Sequence, residues 1–536
     1  MTTGVPLIRR IVALGAPLVL AATGCGVLPS RDAAPRPPAG TSAATAPGSS
    51  APAGTPATSA PAASAPAATA TPSGQDTRPA LAETRSTMTP DLKAEVVGLH
   101  RVKGKHLVVQ VRLSNTGTDK KLSWAGEMGD HTRPLGEIKW ASGIGVLDTR
   151  ARTWILPYKP AGAPCLCSDQ DRDDLGPFIG PGESITVYAV TPAPAGNPAT
   201  ATVVTPVGPP MPDVPISDGP PAGDFPDPDA EPVTPVTRRV VLPSESLDKS
   251  EETADDGTDL QVNLSSDVLF AVNRATLTPR ARVILARTAK LVDASPAAVV
   301  KVEGHADSSG SDAVNDPLSL RRAQAVRRSL SGLLTRHGIR FEAKGYGSRR
   351  PLYGNDSEEG RRRNRRVTVT FARPRPEPAD PAADAVSTLG PDQEPTGTAT
   401  AAGRPVTLRI TGLRRLDGGM GLLTYTVTND GSAEAWFNEL HHAQDWESYK
   451  YQAAGDVRLT DVAGRRRYLP GRLQVPTDGG VDSYCACTDV SGVRAGTEKF
   501  APGQTREFWG LFALPETART LDVRIASFRD LQVPIR

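Results

Sequence analysis

Aromatic residues are scarce in this 536-residue chain, at 5%, and apolar residues of every kind reach only 38%. In their place stand 50 glycines and 51 prolines. A chain of this length has room for several cores. So thin a supply of apolar side chains argues for folded modules joined by linkers, against one large compact enzyme. An excess of charge of one sign is also missing. The 61 Lys and Arg against 59 Asp and Glu leave a net +2, so no global field selects nucleic acid or an acidic partner. The seven histidines include no HExxH pattern, which removes a common zinc-hydrolase arrangement. Past the first 25 residues, no run is long and apolar enough for a transmembrane helix.

The apolar run that does exist, Ile11 to Ala22, follows Arg9 and Arg10. About a dozen residues are too few to span a bilayer, and residues 1–24 read as a secretory signal. The ending Ala22-Thr23-Gly24-Cys25 resembles a bacterial lipobox, with Ala22 where Leu is more common. The resemblance implies that Cys25 becomes the new N-terminus and carries acyl chains, each buried methylene contributing about 0.8 kcal/mol of anchoring. The alternative is a plain secretory peptide with an incidental cysteine. Residues 25–88, nearly all Ala, Pro, Thr, Ser and Gly after the first few, read as a disordered, extended tether. Segments 218–258, rich in Pro, Asp and Glu, and 373–403, rich in Ala, Pro and Asp, read as further linkers. Three folded segments remain: 89–217, 259–372 and 404–536.

The first and third are copies of one another. GLHRVKGKHLVVQVRLSNTG (Gly98 to Gly117) matches GLRRLDGGMGLLTYTVTNDG (Gly412 to Gly431), with the outer glycines 19 apart in both. Asp148 to Pro157 matches Asp461 to Pro470, and Cys165-Leu166-Cys167-Ser168-Asp169 matches Cys485-Ala486-Cys487-Thr488-Asp489. Gly180-Pro181-Gly182 pairs with Ala501-Pro502-Gly503, and Val214-Pro215-Ile216 with Val533-Pro534-Ile535. Five blocks in one order mark a duplication. Each copy alternates apolar and polar residues at period two and carries Asn/Gly and Pro-Gly turn signals, which predicts an all-β sandwich of immunoglobulin type.

The middle segment follows a different grammar. LQVNL, AVVKVEG, RFEAKGYG and RRVTVTF read as strands, with helices after Thr278-Pro279 and after Ser319. The order β-α-β-α-β-β predicts an α+β domain with helices on one side of a small sheet. If Ser319 caps the second helix, Arg321 and Arg322 occupy its first turn, where the helix dipole disfavours cations. A loop carrying Asp307 precedes them. Asp307 and Arg322 could bracket a zwitterion, the arginine fork taking its carboxylate, or form an ordinary pair that ties loop to helix. The residues alone leave both open.

Gly304-His305-Ala306-Asp307, Gly310, Asn315, Leu318-Ser319, Arg322-Ala323, Gly345-Tyr346-Gly347, Pro351, Asn355, Gly360-Arg361 and Asn364-Arg365-Arg366-Val367 together resemble the peptidoglycan-binding domain of the OmpA family. About 110 residues take part. One departure is Ala306, where Thr is commoner. The resemblance implies that Asp307 receives the ammonium, and Arg322 the carboxylate, of diaminopimelate in the peptidoglycan stem peptide. It implies that Asn315 shapes the loop or touches the ligand, that Gly304 and Gly310 permit tight turns, and that Arg361 and Arg365 border the site. Arg321, Arg362 and Arg363 are expected in solvent, and His305 in a structural role. On an exported protein, the basic run Arg361 to Arg366 does not point to nucleic acid.

Cys165, Cys167, Cys485 and Cys487 are expected as disulfides within each motif, since export implies an oxidising setting. A thiolate site for a soft metal is the sharper alternative, but no His or Met cluster repeats beside both motifs. No metal or cofactor is therefore expected. The whole reads as a lipid-anchored, outward-facing envelope protein that grips peptidoglycan. An envelope hydrolase, or thiol chemistry at the two CxC motifs, stands as the rival.

Overall fold

Leu107, Val109, Val111 and Leu113 recur at every second position of the strand His106–Asn115, and all four are fully buried. Burial at period two on one face calls for a facing layer. In the computed structural model, which describes residues 76–132, 139–374, 396–401, 404–441, 453–478, 480–488 and 499–536, that layer is a second sheet. Strands Ala82–Arg85, Leu92–Val102, His106–Asn115 and Ser184–Pro192 pair in that order, and Met211–Pro215, Thr200–Val204, Gly145–Asp148 and Thr153–Pro160 form the opposite layer. Val146, Val203 and Val214 of the second layer share one core with Leu92, Val109 and Val187 of the first.

The later copy repeats this order strand for strand. Thr396–Ala401, Arg404–Leu416, Met420–Asn429 and Thr505–Ala513 make one sheet; Leu531–Pro534, Thr520–Ile525, Val457–Asp461 and Arg466–Tyr468 follow each other in the other. Even the register shift recurs, between Val96 and Gly98 in one copy and between Ile410 and Gly412 in the other. Each copy starts several residues before its expected boundary of 89 or 404, because the short edge strands AETR and TGTATA carry no large apolar residue to announce them. The signal run, Cys25, most of the tether and most of segment 373–403 lie outside the described residues.

The segment 218–258 is not the linker that its composition predicts. Val233–Ser246 (β1) and Glu251–Asp255 (β2) form a hairpin. Strand β1 pairs with Thr153–Pro160 of the first copy and with Arg466–Tyr468 and Arg472–Thr477 of the second. Averaging over Pro, Asp and Glu concealed Val236, Val240, Val241 and Leu242, all of which are buried. Val240 and Leu242 join Trp154 and Trp509 in a core between the copies, the two indoles stacking at 6.3 Å.

Strand β2 carries the sheet onward into the middle domain. There Asp259–Ser265 (β3), Pro279–Ala294 (α1), Val299–Gly304 (β4), Asp312–Ser331 (α2), Arg340–Gly345 (β5), Glu358–Asn364 (α3) and Arg366–Ala372 (β6) follow one another. The sheet order is β1-β2-β3-β6-β4-β5, with β4 and β5 parallel. Thr278 caps α1 by accepting from the Ala281 amide at 3.2 Å, and Pro279 stands at its first position. Ile284, Leu285 and Val292 of α1 and Ala323, Val326 and Leu330 of α2 bury against Val300, Val302 and Val369 of the sheet. Leu333 lies past the helix end and is 40% exposed.

Candidate functional site

Helix α2 begins at Asp312 with Ser311 at its N-cap, eight residues before the expected start. The internal Pro317 disguised this. Ser319 is a mid-helix residue whose hydroxyl donates to the Asp316 carbonyl at 2.9 Å and accepts from the Gly347 amide at 3.0 Å. Arg321 and Arg322 therefore stand in the middle of α2, so the helix-dipole argument does not apply to them. Arg321 is exposed, whereas Arg322 is buried.

What surrounds Arg322 is informative. Its Nε donates to the Arg274 carbonyl at 3.1 Å, and its guanidinium lies over the Phe270 ring, 5.2 Å from the centroid. Among the described residues it makes no ion pair, and only Nε finds an oxygen. Burial lowers its pKa; Asp267 and Asp307 raise it, while Arg365 adds to the lowering. Asp307 does not touch Arg322. One carboxylate oxygen accepts from the Ser309 amide at 2.9 Å, and the other takes Arg365 Nη1 at 2.6 Å. Arg365 also pairs with Asp267 at 2.9 Å and Glu358 at 3.0 Å, and the hydrogen bonds to these acids hold its pKa above the ordinary arginine value. Two carboxylates, Asp267 and Asp307, thus neighbour two guanidiniums, those of Arg322 and Arg365.

The loop around Asp307 is fixed from within. Asn315 Nδ2 donates to the Ser309 carbonyl at 2.9 Å. Gly310 has φ +83, a left-handed conformation that glycine adopts without strain. Gly304 serves differently from the turn expected of it. A Cβ there would lie 2.0 Å from the Ser319 carbonyl oxygen, so its role is to let α2 approach β4. Arg361 pairs with Glu358 at 3.0 Å and donates to the Asn355 carbonyl at 2.8 Å. Arg363, expected in solvent, is 7% exposed and pairs with Glu245, Glu252 and Glu359. Arg362 takes Glu359. The basic run is thus largely engaged by acids of this same chain.

His305 is buried against Tyr346, ring centroids 5.5 Å apart, and neither ring nitrogen has a partner among the described residues. Burial, with Arg366 and Arg350 nearby, lowers its pKa to about 3 from 6.5. Folding therefore favours the neutral ring. Its contribution is complete above pH 6.5 and drains as pH falls towards 3, because the unfolded chain takes up the proton first. Acidification from pH 6.5 to 4.5 is expected to cost roughly 2 kcal/mol of stability. Urea titrations of the parent and of His305→Phe check this, and an equal loss in both would assign the effect to other groups.

Each CxC pair is joined within its own motif, with Cα atoms 5.3 Å apart for Cys165 and Cys167 and 5.2 Å for Cys485 and Cys487. All four cysteines are buried. Paired in this way, they offer a soft metal no thiolate.

The profile of the OmpA family matches residues 269–365, which carry this whole charge cluster except Asp267. The putative lipoprotein YfiB of Escherichia coli K12 is 30% identical over 118 residues, covering 22% of this chain and 72% of that protein. The chain belongs to the OmpA family. Outer membrane porin F of Pseudomonas aeruginosa is 39% identical over 106 residues, 20% of this chain and 30% of the porin. The peptidoglycan-binding protein ArfA of Mycobacterium bovis is 35% identical over 105 residues, 19% of this chain and 31% of that protein. The match thus spans about a third of the porins and of ArfA, and the duplicated β segments lie outside the residues that the OmpA family profile covers.

Proposed function

We propose that this chain is a cell-envelope lipoprotein that holds peptidoglycan non-covalently, through the diaminopimelate of the stem peptide. The observation that carries the reading is Arg322, a buried guanidinium with no acid of its own among the described residues, beside a carboxylate pair already shared with Arg365. A ligand carboxylate would complete the Arg322 fork. The ammonium on the same carbon would face Asp307, sharing it with Arg365. A zwitterion adds no net charge to a partly dehydrated site, whereas a simple anion or cation would. Asn315 and Gly310 shape the loop, Gly304 lets α2 lie close to β4, and Arg361 and Arg365 border the site. The name of the ArfA relative, and that of the YfiB lipoprotein, agree with wall binding and with an acylated Cys25.

On this reading the protein is an anchor, not a hydrolase. It faces outward from the membrane that carries its lipid, and two β-sandwiches of immunoglobulin type flank the wall-binding domain and are free to meet other partners. Incubating the solubilised full chain with insoluble peptidoglycan tests it. Capture by diaminopimelate-type wall, weak capture by lysine-type wall and no release of soluble fragments are expected. Equal capture by both wall types would remove diaminopimelate as the ligand, and released fragments would restore the hydrolase.

A further inference from the structure

The β1–β2 hairpin places Glu245 directly opposite Glu252, and both are buried. Like charges facing each other across strands are destabilising, and withdrawal from water adds to the cost. Arg363 of α3 resolves the conflict. Its Nη2 reaches Glu245 at 2.6 Å and its Nη1 reaches Glu252 at 2.9 Å. Burial opposes its charge, yet Glu252 and Glu245 more than offset burial and hold its pKa above the ordinary value. The second β copy closes the far side. Arg467 meets Glu245 at 3.0 Å, and Arg472 donates at 3.2 Å to the Tyr353 hydroxyl, which in turn donates to Glu252.

This buried clamp sits next to the ligand site along the chain. Two residues beyond Arg363, Arg365 holds Asp307. Between them, fully buried Asn364 accepts from the Leu352 and Tyr353 amides at 2.8 and 3.0 Å and donates to Asn355 at 3.0 Å. Asn355 Oδ1 also accepts from the amide of Ser308, the neighbour of Asp307, at 3.2 Å. The clamping carboxylates lie outside residues 269–365, the part matched by the family.

We propose that Arg363 is a positioning residue: gripped by the Glu245–Glu252 pair, it sets α3 so that Arg365 and the Asp307 loop stand ready for the ligand. Wall binding by the middle domain then depends on its docking to the hairpin and, through Arg467 and Arg472, to the second β copy. The inference rests on the diaminopimelate reading of that site.

Calorimetric titration of the full chain with a soluble diaminopimelate-containing stem tripeptide tests it, with circular dichroism as the check on folding. R363M is expected to weaken binding about tenfold, a size typical of coupling between neighbouring groups. Should R363M alone fail to fold, the charge-balanced R363M/E245Q carries the same expectation. In an R365M background the further loss should be smaller, about threefold, because only the route through Asn364 and Asn355 to the Asp307 loop remains. Unchanged affinity in a folded variant, or the same tenfold loss in both backgrounds, would overturn the positioning role. Failure of the parent protein to bind the tripeptide would overturn the diaminopimelate reading, and this inference with it.

Discussion

Asp307→Asn and Arg322→Met are each expected to abolish retention of the full chain on insoluble diaminopimelate-type peptidoglycan while the protein stays folded. Asparagine keeps the shape that accepts the Ser309 amide but has no charge to offer an ammonium. Arg365 retains Asp267 and Glu358, so the loop loses one of several ties. Methionine at 322 keeps the apolar stem over Phe270 and removes the fork. Removing one partner of a desolvated, hydrogen-bonded charge pair costs about 2–5 kcal/mol of binding. At the upper end a micromolar complex becomes a millimolar one, too weak to survive washing. Retention of both variants at the parent level would place the ligand elsewhere.

Gly304→Ala should be among the most damaging single methyls in the middle domain. Its Cβ would stand 2.0 Å from the Ser319 carbonyl oxygen and 2.7 Å from the carbonyl carbon, both backbone atoms of α2 that no rotamer change can move aside. Gly345, directly across the parallel pair from Gly304, also comes close to α2: a Cβ there would stand 2.5 Å from the Leu320 amide nitrogen. The two glycines form the floor on which α2 rests. Overpacking costs typically 1–3 kcal/mol, and this one falls at or above the top of that range, about 3 kcal/mol or more. Because α2 carries Arg322, binding should fall together with stability. Gly332→Ala is the control: its Cβ would meet nothing nearer than 3.7 Å, at φ −85, so urea unfolding should separate the two by several kcal/mol. Equal midpoints would mean that α2 can lift from the sheet at little cost.

Much of this architecture was legible before any coordinates. Period-two burial marked the strands of both copies, and Thr278-Pro279 marked the start of α1 within a residue. The less legible parts failed for identifiable reasons. Strand β1 hid because its prolines and acids dominate an average, although Val240 to Leu242 are contiguous and apolar. The start of α2 was misplaced because Pro317 resembles a boundary and Ser319 resembles a cap. At the candidate site, the OmpA resemblance rather than spacing points to Asp307, Asn315 and Arg322; the partner that Asp307 actually holds is Arg365, and spacing does not distinguish it from its four arginine neighbours. The burial of Arg363 leaves no mark in the local sequence, because its partners Glu245 and Glu252 are 118 and 111 residues away. A run of arginines gives no sign of which one turns inward.

Strand β3 borrows its outer neighbour from the hairpin before it: Glu251–Asp255 pairs with it along five residues. A fragment trimmed to the family match, residues 269–365, would lose β3 itself, and one begun at 259 would expose that strand's free amides and carbonyls. Exposed edges of that sort recruit other chains. A laboratory preparation cut at either point would be prone to self-association through that edge, and its apparent wall avidity would then reflect clustering as much as recognition.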